Sequence, residues 1–181
     1  MVTMSVRWAA LAAVLASGGC AKSNPPDSPD LYKVNPTRDP DSPSGVYIPK
    51  DLLDCFAELD RMLHPDLKRE MREGTPNKLA GRHHMGLGMW MRNNWGLWNG
   101  SRLAKYFRER GQNIEDEMSH MILTGYWRHL HAPSMTEAEH LVLIEVDQWF
   151  HDESLPGIQG MFMKDPAVRA ALEKYGPPPK E

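Results

Sequence analysis

Apolar residues recur at helical spacing along most of the chain. Leu52, Phe56, Leu59 and Leu63 follow steps of four and three, which places them on one face of a helix. Asp51 and Asp54 stand at its start, where the helix dipole favours negative charge, and His64-Pro65 interrupts it. A short helix with Leu67 and Met71 follows and stops at Gly74. Thr75-Pro76 reads as a cap plus the first residue of a helix reaching about Asn94, with Leu79, His83, Leu87 and Trp90 along one stripe. Gly86 and Gly88 lie inside it, each costing about 1 kcal/mol relative to Ala. They mark a close helix crossing, a ligand near the backbone, or a break in the helix.

Trp95 to Gly100 reads as a connection. Ser101 caps a helix carrying Leu103, Tyr106 and Phe107 and closed by Gly111. The next helix spans about Glu115 to Leu130, with Met118, Ile122 and Tyr126 at four-residue steps. Thr136-Glu137-Ala138-Glu139 is a capping box. It opens a helix to about Phe150 that is apolar on most faces and is therefore expected at the centre of the fold. Asp165-Pro166 opens a last helix ending at Gly176. No strand pair, hairpin signal or internal repeat appears. The expectation is an all-α chain, a single compact domain of six to seven helices over residues 47–175, with a frayed tail at 176–181.

The N-terminal segment follows other rules. Arg7 is the only charge in residues 1–19, Trp8 to Ala16 is a short apolar run, and Ser17-Gly18-Gly19 are small. That is the layout of a secretory signal peptide, too short to span a bilayer. Leu15-Ala16-Ser17-Gly18-Gly19-Cys20 resembles a bacterial lipobox, although Ser17 occupies the place usually held by Leu. The alternative is plain secretion with Cys20 left as a thiol. Several acyl chains on Cys20 would anchor the chain stably, where one chain holds weakly. Ala21, rather than Asp, follows the Cys; by resemblance to lipoprotein sorting this implies the outer membrane, facing the periplasm. Residues 20–46 hold Pro25, Pro26, Pro29, Pro36, Pro40 and Pro43 among polar residues. This composition is read as a disordered tether reaching about 80 Å when extended.

Composition narrows the function. Lys and Arg total 21 against 24 Asp and Glu, a formal net charge of −3, which argues against a general nucleic-acid binder. With 2 Cys there is no disulfide framework and no thiolate zinc cluster. Cys55 falls in an apolar helical pattern and is expected to be a buried, inert thiol.

Three of the 6 Trp fall in the stretch from Trp90 to Arg102, interleaved with Arg92, Asn93, Asn94, Asn99, Ser101 and Arg102. Burying so many donors requires partners. In one reading Asn93 and Asn94 cap a helix end, Arg92 and Arg102 serve loop carbonyls or carboxylates, and the indoles fill the core. In the other, His84, Arg92, Asn93, Asn94, Trp95, Trp98, Ser101 and Arg102 line a surface for a polar ligand or a partner protein. No His-Glu-x-x-His motif is present, and His83-His84 point about 100° apart on a helix, so no metal or other cofactor is expected. His84 with Met85, Met89 and Met91 has the donor types for Cu(I), although Met more often fills helical cores. For catalysis the candidates are His84 as base and Ser101 or Ser119 as nucleophile, without a Gly-x-Ser-x-Gly elbow or a Ser-x-x-Lys pair.

Tyr47-Ile48-Pro49, Asp54-Cys55, His84, Gly86 to Trp90, Arg92 to Trp98, Gly100 to Leu103, Tyr106-Phe107, Met118-Ser119 and Tyr126 resemble an uncharacterised bacterial family, a domain of unknown function. The resemblance covers about residues 47–130. Where the family has His-Pro-Asp-Asp before the Met-Ser pair, this chain has Asn113 to Glu117. No activity comes with the resemblance. The expectation is therefore an exported envelope lipoprotein acting as a binding module. Its partners would be the membrane, through the anchor, and an envelope protein or small polar ligand, with no nucleic acid. A hydrolase using His84 and a purely structural protein are the competing readings.

Overall fold

The computed structural model describes residues 39, 42, 44–150, 155 and 157–180. The expected signal peptide, Cys20 and most of the expected tether lie outside the described residues. The helices are α1 (Leu52–Met62), α2 (Pro65–Glu73), α3 (Pro76–His83), a π-helical segment (His84–Gly88), α4 (Met89–Asn94), α5 (Arg102–Arg108), α6 (Glu115–His131), α7 (Glu137–Trp149), α8 (Ile158–Phe162) and α9 (Pro166–Tyr175). The chain is all-α, as its periodicity predicts. Taking α3, the π segment and α4 as one continuous run, the seven expected helices are present. The one-turn α8, which has no buried residue to leave a pattern, is added.

Local chemistry sets the helix starts. The side chains of Asp51, Thr75, Ser101 and Asp165 each accept a backbone N–H in the first turn of the helix that follows. His64 does the same for α2 through its ring nitrogen. Thr136 and Glu139 form the reciprocal capping box of α7. Glu139 also accepts from Lys174 Nζ at 2.7 Å and Tyr175 Oη at 3.0 Å, which holds α9 against α7.

The centre of the fold is α6, not α7. α6 packs against α1 to α5, the π segment and α7, and its buried residues run from Met118 to Leu130 with few gaps. Its polar and small residues, Ser119, Thr124, Gly125 and Arg128, hide this role from a hydrophobicity pattern. They are also what makes the role possible. A Cβ on Gly125 would stand 2.8 Å from Phe56 Cζ and 3.1 Å from Ile144 Cδ1, so only glycine admits α1 and α7 to the same point. Side-chain bonds fix the neighbours. Asp60 accepts from Tyr126 Oη at 2.9 Å and lies 2.8 Å from His129 Nε2. Arg72 donates to the Leu130 carbonyl at 3.1 Å, and Trp127 Nε1 to the Gly74 carbonyl at 2.8 Å. Cys55 is fully buried, and burial pushes its thiol pKa well up, as expected of an inert core cysteine.

Two boundary expectations change. The tether, read as reaching residue 46, is already anchored at Asp39. That carboxylate is buried, accepts the Ile48 N–H at 3.1 Å and pairs with Arg102 at 2.5 Å. The tail, read as frayed from Gly176, is held because Arg128 Nη1 donates to the Gly176 carbonyl at 3.0 Å and Pro178 is buried.

His140 on α7 is fully buried, packs edge-on to Phe56 at 4.8 Å, and neither ring nitrogen has a hydrogen-bond partner. Burial, then the charges of His129 and Arg128, lower its pKa from 6.5 to about 4; Glu139 opposes weakly. The unfolded chain therefore takes up this proton before the folded one does. Stability should fall as pH drops from 6.5 to about 4, by about 3 kcal/mol from this group alone. Urea unfolding across that range should show the slope in the wild type and lose most of it in His140→Leu.

Candidate functional site

The candidate site is built on the break in the α3–α4 run. At Gly86 and Gly88 the helix passes through one π-helical turn, with the Met89 N–H directed at the Gly86 and His84 carbonyls. Such turns insert one residue and re-aim backbone groups. Gly88 also makes the close crossing that its low propensity implied. A Cβ there would lie 3.2 Å from Arg92 Nη1, 3.3 Å from the His83 carbonyl and 3.6 Å from Ser119 Oγ. Of the three explanations open for these glycines, the break and the crossing are both present.

Through that gap runs Arg92, which is buried. Its Nη1 donates to Ser119 Oγ at 2.7 Å and its Nη2 to the His84 carbonyl at 3.3 Å. Its Nε faces Asp116 Oδ1 at 3.1 Å, an ion pair whose angle does not make a hydrogen bond. Ser119 passes its own proton to the Asp116 carbonyl at 2.8 Å. Asp116 is half exposed and lies 3.6 Å from His84 Nε2, whose side chain is 38% exposed. Burial lowers the proton affinity of His120, one turn along α6, with His84 adding to the effect and Glu117 opposing it.

The Trp/Arg/Asn stretch does not form one surface. Trp95 is fully enclosed and meets Trp90 edge to face at 5.9 Å. Asn94 Nδ2 donates to the Trp90 carbonyl at 2.9 Å. Ser101 Oγ caps α5. Arg102 is drawn away to Asp39, the Ile48 carbonyl and the face of Tyr47 at 5.0 Å. The reading in which these groups knit the fold holds for Arg92, Asn94, Trp95, Ser101 and Arg102. Three expected site residues face outward: His84, Asn93 and Trp98. Trp98 is 49% exposed, and its ring lies 6.0 Å from the Arg92 guanidinium. Its loop is set by Gly96 and Gly100, at φ +64° and +68°, with the Asn99 and Ser101 N–H groups both donating to the Gly96 carbonyl. Met85 and Met89, on the π segment and the turn after it, are also exposed.

A second feature went unread in the sequence. The outer face of α5, the start of α1 and the start of α7 enclose an open cleft of about 480 Å³ lined by Lys50, Arg102, Lys105, Tyr106, Arg110 and three carboxylates. The spacing of Arg102, Lys105, Glu109 and Arg110 is a helical stripe that the sequence does display. The contribution of Glu137, from α7, is not legible before folding.

Among the described residues, no group of three His, Cys, Asp or Glu side chains is placed to hold a metal ion. None of the described helices is long and apolar enough to cross a membrane.

Residues 48–130 match the model of a domain of unknown function, DUF6794. The match runs from Ile48 to Leu130, a little under half of the chain, and it is this segment that is similar to the family. No curated protein and no solved structure matches the chain. The DUF6794 segment contains the π segment, Arg92, Trp98 and most of α6, and it ends before α7.

Arg92 is buried and engages Ser119, the His84 carbonyl and Asp116, so Arg92→Ala should cost about 3 kcal/mol. Arg92→Lys should recover little, because an ammonium cannot serve Ser119, Asp116 and the His84 carbonyl with one planar fork. Urea denaturation of the three proteins checks both.

Proposed function

We propose that this chain is an exported, lipid-anchored envelope protein. Its helical body is a binding module that engages a partner protein through the outward face around Trp98, Asn93 and His84. The observation that carries the reading is Trp98. A large indole is left half in solvent, on a loop whose conformation is fixed by two positive-φ glycines, beside a guanidinium that is itself immobilised by three partners. Rigid, exposed aromatic side chains bind at low entropic cost and dominate interface energetics. Asn93 is exposed one residue along from Arg92, and the partly exposed His84 binds the same guanidinium through its carbonyl. The anchor is supported by the lipobox-like run ending at Cys20, and Ala21 rather than Asp after it favours the outer membrane; a proline-rich tether would give the body reach from the membrane.

The hydrolase reading has one supporting contact, the Asp116 carboxylate 3.6 Å from His84. The serines it would use are otherwise engaged. Ser119 is fully enclosed between Arg92 and a backbone carbonyl, and Ser101 caps a helix. Binding asks less of the same residues than catalysis does.

Trp98→Ala should leave stability within about 0.5 kcal/mol, as a surface change away from the core. It should abolish partner cross-linking from a photoreactive residue placed at Asn93. Unchanged cross-linking with Trp98→Ala would remove this face from the function. Cys20→Ser should eliminate incorporation of a labelled fatty acid and release the protein from membranes; retained labelling would dismiss the anchor.

A further inference from the structure

α7 presents two faces. One sends Leu143 and Val146 into an apolar cluster with Val168, Ala171 and Leu172 of α9, and Gln159 Nε2 of α8 donates to the Phe150 carbonyl at 2.9 Å. The three helices thus hold one another. The other face carries Glu137, His140, Leu141, Ile144, Asp147 and Gln148 at helical spacing and meets the rest of the fold. Ile144 and Leu141 are its apolar contacts with the larger cluster. The remaining contacts are polar: Tyr106 donates its phenol to Glu137, Asp147 pairs with Arg128, and Asn77 Nδ2 donates to the Gln148 carbonyl at 3.3 Å. Among them His140 is fully buried with both ring nitrogens unpartnered, edge-on to Phe56 and 6.4 Å from the His129 ring. A proton on this ring finds no acceptor. From α6, Arg128 is committed to Asp147, and His129 to Asp60 of α1. On α7, Glu139 is turned to Thr136 and to Lys174 and Tyr175 of α9. α3 offers the neutral Asn77. From the side of α5 come Tyr106, which burial and Glu137 keep protonated, and Arg110, already facing Glu137.

We propose that α7, α8 and α9 form a latch that opens from α1 and α6 as one unit when His140 takes up a proton. Opening lets water solvate the imidazolium, which the closed joint cannot do. The split falls between the two apolar clusters, so the one shared by α7 and α9 stays whole. The hinge lies in residues 132–136, between α6 and α7. The Arg128–Asp147 pair is a weak hold against this motion, because both ions regain water when it opens. Burial raises the Asp147 pKa against the pull of Arg128. Asp147 therefore binds a proton more readily closed than open, and its own titration resists opening. Glu139 stays with Lys174 and Tyr175 on the moving unit. That leaves His140 as the group that drives the change. Release withdraws Glu137 from Tyr106 and Arg110 and uncovers Phe56 and Gly125. None of this involves the Trp98 face.

The test is native-state hydrogen exchange of the full chain in low denaturant at pH 7 and pH 5, corrected for the intrinsic exchange rate. The amides of α7 and α9 should exchange together, through an opening more frequent than that of α1 and α6 and with a smaller denaturant dependence. Its equilibrium constant should rise about twentyfold from pH 7 to pH 5, the ratio given by a pKa of 6.5 in the open form and about 4 in the closed form. His140→Leu and His140→Gln cannot take the proton. In both, the rise should shrink below about twofold, whatever the substitution does to the opening at pH 7. Trp98→Ala should leave the wild-type pattern in place, which separates the latch from the binding face. Two results overturn the inference. In one, α7 and α9 share the opening of α1 and α6 at both pH values, and the wild type alone decides this. In the other, either variant keeps the full rise.

Discussion

Near the end of α6, Arg128 is carried into the interior, where only protein groups can replace the water it loses. It is answered almost completely. Nε donates to Asp147 Oδ2 at 2.8 Å, Nη2 to Asp147 Oδ1 at 2.5 Å, and Nη1 to the carbonyls of Tyr175 and Gly176. The carboxylate is fully buried in its turn. A pair of this kind adds little net stability compared with apolar residues of the same volume, but losing either partner strands a buried charge. Its effect is to set geometry. α6, α7 and the end of α9 meet in one arrangement because only that arrangement satisfies both ions. The second apolar cluster, Met135, Leu143, Val146, Val168, Ala171 and Leu172, then fills the space between α7 and α9.

The opposite end of α6 repeats the device in a different form. There a guanidinium enters from α4, and the receiving groups are a hydroxyl, a carboxylate and the His84 carbonyl at the start of the π turn. The difference matters for function. Arg128 closes an interior and has nothing outside it. Arg92 is enclosed on its inner side, while its outer side borders Trp98, His84 and Asp116, all partly in solvent. A buried ion that is also the floor of a surface patch gives that patch a fixed shape. It explains how the long Trp/Arg/Asn stretch can be mostly structural and still present a surface: Arg92, Asn94, Trp95, Ser101 and Arg102 are engaged within the fold, while Trp98 is left half in solvent beside Arg92.

Helix positions were legible because caps act locally. Asp51, Thr75, Ser101, Thr136 and Asp165 each determine a helix start from within three residues, so the sequence displays them directly. The pair Gly86 and Gly88 was legible as an anomaly but not as a π turn, since spacing does not show that Arg92 passes Gly88 to reach Ser119 on another helix. Identifying α6 as the centre was out of reach for a related reason. Periodicity registers apolar side chains, whereas α6 earns its position through Gly125, which contributes no hydrophobicity, and through Arg128, which reads as surface. Which of Arg92 and Arg102 stays near the indoles was likewise undetermined by spacing. Arg102 is claimed by Asp39, a residue 63 positions away in a segment whose composition reads as tether.

The family boundary at residue 130 does not coincide with a boundary of packing. Phe56, Tyr126 and Gly125 lie within the DUF6794 segment, yet the first packs on His140 and the last admits Ile144, both on α7. Arg128 lies inside the segment and its partner Asp147 outside it. Ile144 belongs to the same core cluster as Leu52 and Phe107. A fragment ending at residue 130 would expose the side of α6 that Ile144 covers and leave a guanidinium with no carboxylate. The ion that fixes α7 against α6 is therefore unsatisfied by the family segment alone. In this chain the region after residue 130 is a part of the folding unit that completes the domain, and Glu137, the carboxylate that orients Arg110 and Tyr106 in the cleft, arrives with it.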